Sequence, residues 1–121
     1  MFLDLKLGNL TEAISGRQWD RQEILCQVAA RVRRYHGEGM GAGDRVFVPF
    51  GNRLEFFAEL LSIWHLGASA IPMDPRLTPF EVETLAQAAS PRFSLVDDKS
   101  DPTIVPRMSS LSTKLISMCR L

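Results

Sequence analysis

The sequence predicts an α/β fold, a βαβαβ parallel-sheet subdomain, and three observations carry that prediction. Between Arg45 and Val96, short apolar runs alternate with amphipathic stretches in the order strand, helix, strand, helix, strand. Strands and helices that alternate in this way join through right-handed crossovers into a parallel sheet. Helix-start signals stand where each helix is needed, at Asp20 with Glu23, Asn52 with Glu55, and Thr78-Pro79 with Glu81. Each is a capping residue followed three positions later by Glu, so that orphan backbone N–H groups of the first turn find acceptors. The strand candidates are rich in Val, Phe and Ile and are bounded by Gly, Pro or Asp, which suits buried strands ended by turns.

In chain order, residues Glu12 to Trp19 read as a small hairpin turning at Ser15-Gly16. A helix over 21–36 follows, with Ile24, Leu25, Val28, Ala29, Val32 and Tyr35 on its apolar side. Arg21, Arg31 and Arg34 are assigned to the opposite, solvated side rather than to a phosphate-binding face. Arg45 to Phe50 is a buried strand. Asn52 opens a second helix that carries Leu54, Phe56, Phe57, Leu60, Leu61, Ile63, Trp64 and Leu66 up to a stop at Gly67. Its polar stripe is limited to Glu55, Glu59 and Ser62. So apolar a helix must be covered on two sides, by its own sheet and by something else, and Phe57 and Trp64 are read as core. Ser69 to Pro72 form the next strand. The third helix presents Phe80, Val82, Leu85, Ala86 and Ala89, ends at Ser90-Pro91, and leads into a strand at Arg92 to Val96.

Residues 1–106 are therefore expected to form a single α/β subdomain. Residues 107–121 contain Arg107, Lys114 and Arg120 but no acidic residue, and read as a Ser-rich basic tail or peripheral helix.

Composition excludes several classes. Leu, Ile, Val and Phe make up about 29% of the 121 residues, too many for a disordered chain. Eight glycines and seven prolines are too few for a collagen-like or low-complexity chain. Fourteen basic residues balance fourteen acidic ones, so no nucleic acid and no anionic membrane is expected as a partner. Cys26 and Cys119 have neither metal-ligand nor redox-motif spacing, and a cytoplasmic location follows as the expectation. Asp4 and Lys6 interrupt the apolar start, which does not read as a secretory signal. The most apolar stretch, Phe56 to Leu66, is too short to span a bilayer.

The search for chemistry returns little. Gly37, Gly39, Gly41 and Gly43 alternate like a phosphate loop, but they close a helix and enter a strand, the reverse of the order that aims backbone N–H groups at a phosphate. They are read as a helix cap and a tight turn. The true strand-to-helix junction, Phe50-Gly51-Asn52-Arg53, has one glycine, and the stretch Ser109 to Lys114 has hydroxyls and a lysine but no glycine. His36 and His65 have no partner at metal or triad spacing. Glu55 and Glu59 share a helix face at i, i+4, where nothing pulls two carboxyl pKa values apart. No catalytic, cofactor-binding or metal-ligating residue is assigned.

Four segments together carry a resemblance: Trp19 to Leu25, Gly39 to Val46 with its Gly-Asp-Arg-Val turn, Asn52 to Phe56, and Leu66 to Pro75 with its Gly-Ala and Pro-Met-Asp-Pro pieces. In order and spacing they resemble the beginning of an adenylate-forming ligase, the superfamily of acyl-CoA synthetases, luciferases and nonribosomal adenylation domains, and Ser90 to Asp97 fits its next strand. The resemblance covers about residues 12–98. It implies the N-terminal fragment of an AMP-forming acid ligase, which activates a carboxylic acid with ATP to an acyl adenylate. ATP and Mg are implied for the complete enzyme and none for this chain, because the family's nucleotide and acid motifs lie farther along. The chain alone is then expected to be inactive, to leave Phe56, Leu60, Ile63 or Trp64 partly exposed for want of the rest of the subdomain, and to form a homo-oligomer or dock on a partner chain carrying that rest. The alternative is a non-enzymatic folding or interaction module on the same scaffold.

Overall fold

The computed structural model describes residues 8–49, 51, 53–74, 76–96, 111 and 113–117. The chain runs through a hairpin of β1 (Leu10–Thr11) and β2 (Gln18–Trp19), then α1 (Arg21–Gly37), β3 (Arg45–Pro49) and α2 (Leu54–His65). It continues with β4 (Ser69–Met73), α3 (Pro79–Ala89), β5 (Phe93–Val96) and β6 (Lys114–Ser117). The predicted βαβαβ unit is present, and its sheet is parallel in the order β4-β3-β5-β6.

Alternation along the strands sends neighbouring side chains to opposite faces. Val46 and Val48 of β3, with Phe93, Leu95 and Ile116, meet Phe56 and Ile63 of α2 on one face. Phe47 points the other way and packs with Val82 and Ala86 of α3. Burying each such side chain contributes roughly 1.5–3 kcal/mol before the entropy of ordering is subtracted. The hairpin and α1 pack chiefly onto α2, where Trp19, Ile24 and Val28 meet Leu54 and Ala58. The layers thus run α3, sheet, α2, then α1 with the hairpin. The apolar second helix has its two covers, and α1 is the second of them.

Each helix end has a physical cause. Asp20 accepts from the Glu23 N–H at 2.8 Å at the start of α1, whereas the Glu23 side chain turns to Gln27, so the expected reciprocal box is half formed. At α3 it is complete: Thr78 Oγ1 accepts from the Glu81 N–H at 3.2 Å and Glu81 Oε1 from the Thr78 N–H at 3.1 Å. α1 closes through the Met40 N–H on the Tyr35 carbonyl, with Gly39 at φ +88°. The same closure ends α2, where the Ala68 N–H reaches the Ile63 carbonyl and Gly67 takes φ +79°.

Five expectations are corrected. The stretch 107–121 holds neither a peripheral helix nor a mere tail within its described residues, because Lys114–Ser117 pair in parallel with β5. A four-residue strand with only Leu115 and Ile116 apolar carries almost no sequence signal, and short polar strands are tolerated at a sheet edge. The N-cap of α2 is Arg53, with no side-chain cap bond, and Asn52 lies outside the described residues. Phe57 and Trp64 are exposed rather than core, since α2 has only two covered sides; of the residues expected to stay partly exposed, Trp64 does so and Leu60 is half-buried, while Phe56 and Ile63 are buried. Arg31 is buried, not solvated, and so are Glu59 and Ser62 of the supposed polar stripe. Among the described residues no helix is long and apolar enough to cross a membrane.

Gly67 carries a testable consequence. A Cβ there would stand 3.5 Å from Ala42, an ordinary contact, so the cost of a side chain comes from the left-handed backbone alone. Gly67→Ala should lower unfolding free energy by about 1 kcal/mol or more in urea melts. An unchanged midpoint at unchanged slope would contradict a strained stop at this residue.

Candidate functional site

In an open parallel sheet, ligands collect outside the carboxyl ends of the strands where successive connections leave to opposite faces. Here β3 connects through α2 on one face to β4, and β4 connects through α3 on the other face to β5. The divergence falls between the adjacent strands β3 and β5, whose carboxyl ends lie among Pro49, Gly51, Arg53 and Val96. Arg76 and Asp74 stand at the same end beyond β4, paired at 2.8 Å. The Arg76 guanidinium bonded to Asp74 holds that carboxyl down to about 2.

The N-terminus of α2 opens toward this end, and an acceptor already occupies it. Glu12 Oε2, from the hairpin, accepts from the Leu54 N–H at 3.0 Å and also from Arg17. Arg17 bridges onward to Glu55, and Ser15 Oγ donates to Glu12 Oε1. The bonds from Arg17, then from Ser15 and from the Leu54 N–H, hold the Glu12 carboxyl down to about 2. Glu55 is likewise lowered, chiefly by Arg17. A carboxylate at a helix N-terminus satisfies an orphan N–H and the positive end of the dipole together, so the hairpin serves as a cap supplied from far upstream.

Between α1 and α2 lies a second charged cluster. Glu59, with no exposure to water, accepts from Arg31 Nε on one carboxyl oxygen and from the Tyr35 hydroxyl on the other. Arg31 Nη1 in turn donates to Gln27, to its carbonyl at 3.1 Å and its Oε1 at 2.8 Å. Burial pushes the Glu59 carboxyl above the ordinary carboxylate range, against the pull of Arg31, the Tyr35 hydroxyl and Arg34. Burial and the Glu59 charge push the Tyr35 phenol up as well. A carboxyl so enclosed exchanges no proton with a substrate, and the arrangement fixes helices rather than performing chemistry.

Residues 13–118 match the profile of the family described as AMP-binding enzyme. The chain belongs to that family. Among its relatives, the hybrid PKS-NRPS synthetase mycA of Thermothelomyces thermophilus is 28% identical over 90 residues, 74% of this chain and 2% of that protein. The nonribosomal peptide synthetase anaPS of Neosartorya fischeri is 27% identical over 92 residues, 73% of this chain and 4% of that protein. Among solved structures, ATP-bound MatB from Rhodopseudomonas palustris superposes with a TM-score of 0.81 at 18% identity, over 96% of this chain and 24% of that one. The chain therefore spans 2–4% of the curated relatives it matches, and at 18% identity the MatB likeness shows the AMP-binding enzyme fold alone. The family match reaches 118 and so takes in β6, beyond the 98 at which the resemblance in the sequence stops.

The residues singled out in the sequence are scattered rather than gathered. Glu55 and Glu59 part company, the one on Arg17 near the surface and the other sealed against Arg31. His36 is exposed and His65 half-buried near their helix ends. Gly39 and Gly43 take positive φ in the turn between α1 and β3. Cys26 is a free, exposed thiol, and Cys119 lies outside the described residues. Thr113 Oγ1 bonds Ser94 Oγ at 2.8 Å, and Lys114 pairs with Glu38. Among the described residues no group of three or more His, Cys, Asp or Glu could hold a metal ion.

Both charged clusters can be tested by substitution. Removing one partner of a buried pair strands the other, so Glu59→Ala should cost about 3–5 kcal/mol in a denaturant melt. The triple replacement Arg31→Met, Tyr35→Phe, Glu59→Leu should recover most of that loss, and equal damage in both variants would contradict a compensated pair. The Glu12 carboxyl is lowered from 4.5 to about 2 on folding. Its contribution is complete above its unfolded value and is lost as pH falls through its folded one. Thermal melts from pH 6 to pH 2 should show a steeper acid decline in the wild type than in Glu12→Gln, and parallel curves would exclude Glu12 as the group.

Proposed function

We propose that this chain is the N-terminal scaffold of an AMP-forming acid ligase, which activates a carboxylic acid with ATP to an acyl adenylate. The observation that carries the reading is the AMP-binding enzyme match over 13–118, which takes in α1, the hairpin's second strand and the whole parallel sheet. The charged residues support a scaffold role. The acidic cap of α2 is used internally, and the buried carboxyl at Glu59 is used to join two helices.

Adenylate formation needs preorganised charge on the transferring phosphates. In this reading the groups that supply it, with ATP and Mg, belong to the rest of the ligase, whether in the same polypeptide or in a partner. The chain by itself is then an inactive part of the enzyme, working in the cytoplasm, a setting that suits its exposed free thiol at Cys26.

ATP–pyrophosphate exchange tests this with a panel of amino, fatty and aromatic acids. The isolated chain should give no exchange above a no-protein control, and exchange by it alone would overturn the scaffold reading. A chimera should give exchange when residues 13–118 replace the matching segment of an AMP-binding domain of anaPS. A chimera that melts cooperatively and gives none would favour the non-enzymatic module.

A further inference from the structure

An ion pair crosses from the end of α1 to the edge of the sheet. Lys114, the first residue of β6, pairs with Glu38, the residue that caps α1. One turn back along α1 stands Arg34, whose Nη1 is buried and has no hydrogen-bond partner among the described residues. A buried donor left unpaired costs free energy, and two carboxylates lie within the electrostatic reach of Arg34. Glu59 is one, but Arg31 and the Tyr35 hydroxyl take its two oxygens. Glu38 is the other, held below its ordinary value by Lys114 first and by Arg34 to a lesser degree. Residues four apart on a helix are neighbours. Glu38 is therefore the acceptor open to Arg34, and Lys114 has it.

We propose that β6 is a strap at the sheet edge whose hold is set by two cations competing for Glu38: Lys114 takes the carboxylate when the strand is docked on β5, and Arg34 takes it when the strand is released. The docked state keeps the Lys114–Glu38 pair, the parallel register with β5 and the burial of Ile116. It leaves Arg34 Nη1 unsatisfied. The released state satisfies Arg34 and gives up the strand contacts. Arg34 thus works against the docking of β6 from a position on α1. Because β6 is the outermost strand on its side of the sheet, its release uncovers the edge of β5.

Native-state hydrogen exchange of the 121-residue chain reads the opening of β6 separately from that of β3. Arg34→Met removes the competitor, so the protected amides of β6 should exchange roughly 2–5-fold more slowly, the range of one exposed ion pair, while those of β3 keep their rates. Lys114→Met should speed β6 exchange by a similar factor. Added to Glu38→Gln or to Lys114→Met, Arg34→Met should change nothing at β6, because no carboxylate is then contested. Unchanged or faster β6 exchange in Arg34→Met overturns the proposal, as does a slowing that β3 shares equally or one that survives in Glu38→Gln. Should Arg34→Met fail to fold, Lys114→Met decides, and unchanged β6 exchange in it counts against the strap. Amides of β6 that open only when the whole chain unfolds overturn it as well.

Discussion

A carboxyl sealed from water between two helices can be satisfied in only one alignment of those helices. Glu59 meets Arg31 and Tyr35, two residues one turn apart on α1, and a slide of α1 along α2 by a turn would leave a charge in the interface without its partner. Such a loss costs more than any single apolar contact in the surrounding cluster offers. The pair therefore sets the register of α1 on α2. The sheet sets α2 from its other side, and the hairpin that precedes α1 arrives where Glu12 can cap α2.

Much of this was legible in the sequence, and the reasons differ from element to element. The three helices and the strands β3 to β5 were visible from periodicity, with the capping residues Asp20 and Thr78 marking α1 and α3 and the left-handed glycine Gly67 marking the end of α2, whereas the cap expected for α2 at Asn52 gave way to Arg53. The need for a second cover over α2 was visible from its excess of apolar residues. What escaped was the identity of charged residues in apolar rows. Ile24, Val28, Arg31 and Tyr35 follow one another at four, three and four residues, the spacing of a buried stripe, and Glu59 sits in the row of Phe56 and Ile63. An arginine and a glutamate each lying in such a row were the available signal. Reading each helix alone assigns both to water, because the partner that compensates burial lies on another element. Phe57 erred in the opposite direction for a related reason: hydrophobicity says that it prefers cover, not that this chain supplies it, whereas the exposure of Trp64 was among the outcomes expected from α2's excess of apolar residues. β6 was illegible because four residues at a sheet edge need little apolar character.

For function, what stands is membership of the AMP-binding enzyme family over residues 13–118. In this member of the AMP-binding enzyme family, Arg31 with Glu59 ties α1 to α2, and Glu12 with Arg17 and Glu55 ties the hairpin to the start of α2. An enzyme that closes around a nucleotide benefits when the groups touching its substrates are carried on elements that do not shift. On the scaffold reading proposed above, the buried pair and the distant cap on α2 hold this unit's elements in place.

The central claim is that α1 and α2 form one mechanical unit with the sheet through the Arg31–Glu59–Tyr35 contact. Native-state hydrogen exchange reads this directly, because elements that open together share one opening free energy. Amides from Val28 to Tyr35 in α1 should open with the same free energy as those of Ala58 to Ile63 in α2 and of Val46 to Val48 in β3. Exchange of the α1 amides through a separate, much easier opening, with α2 and β3 still protected, would contradict it.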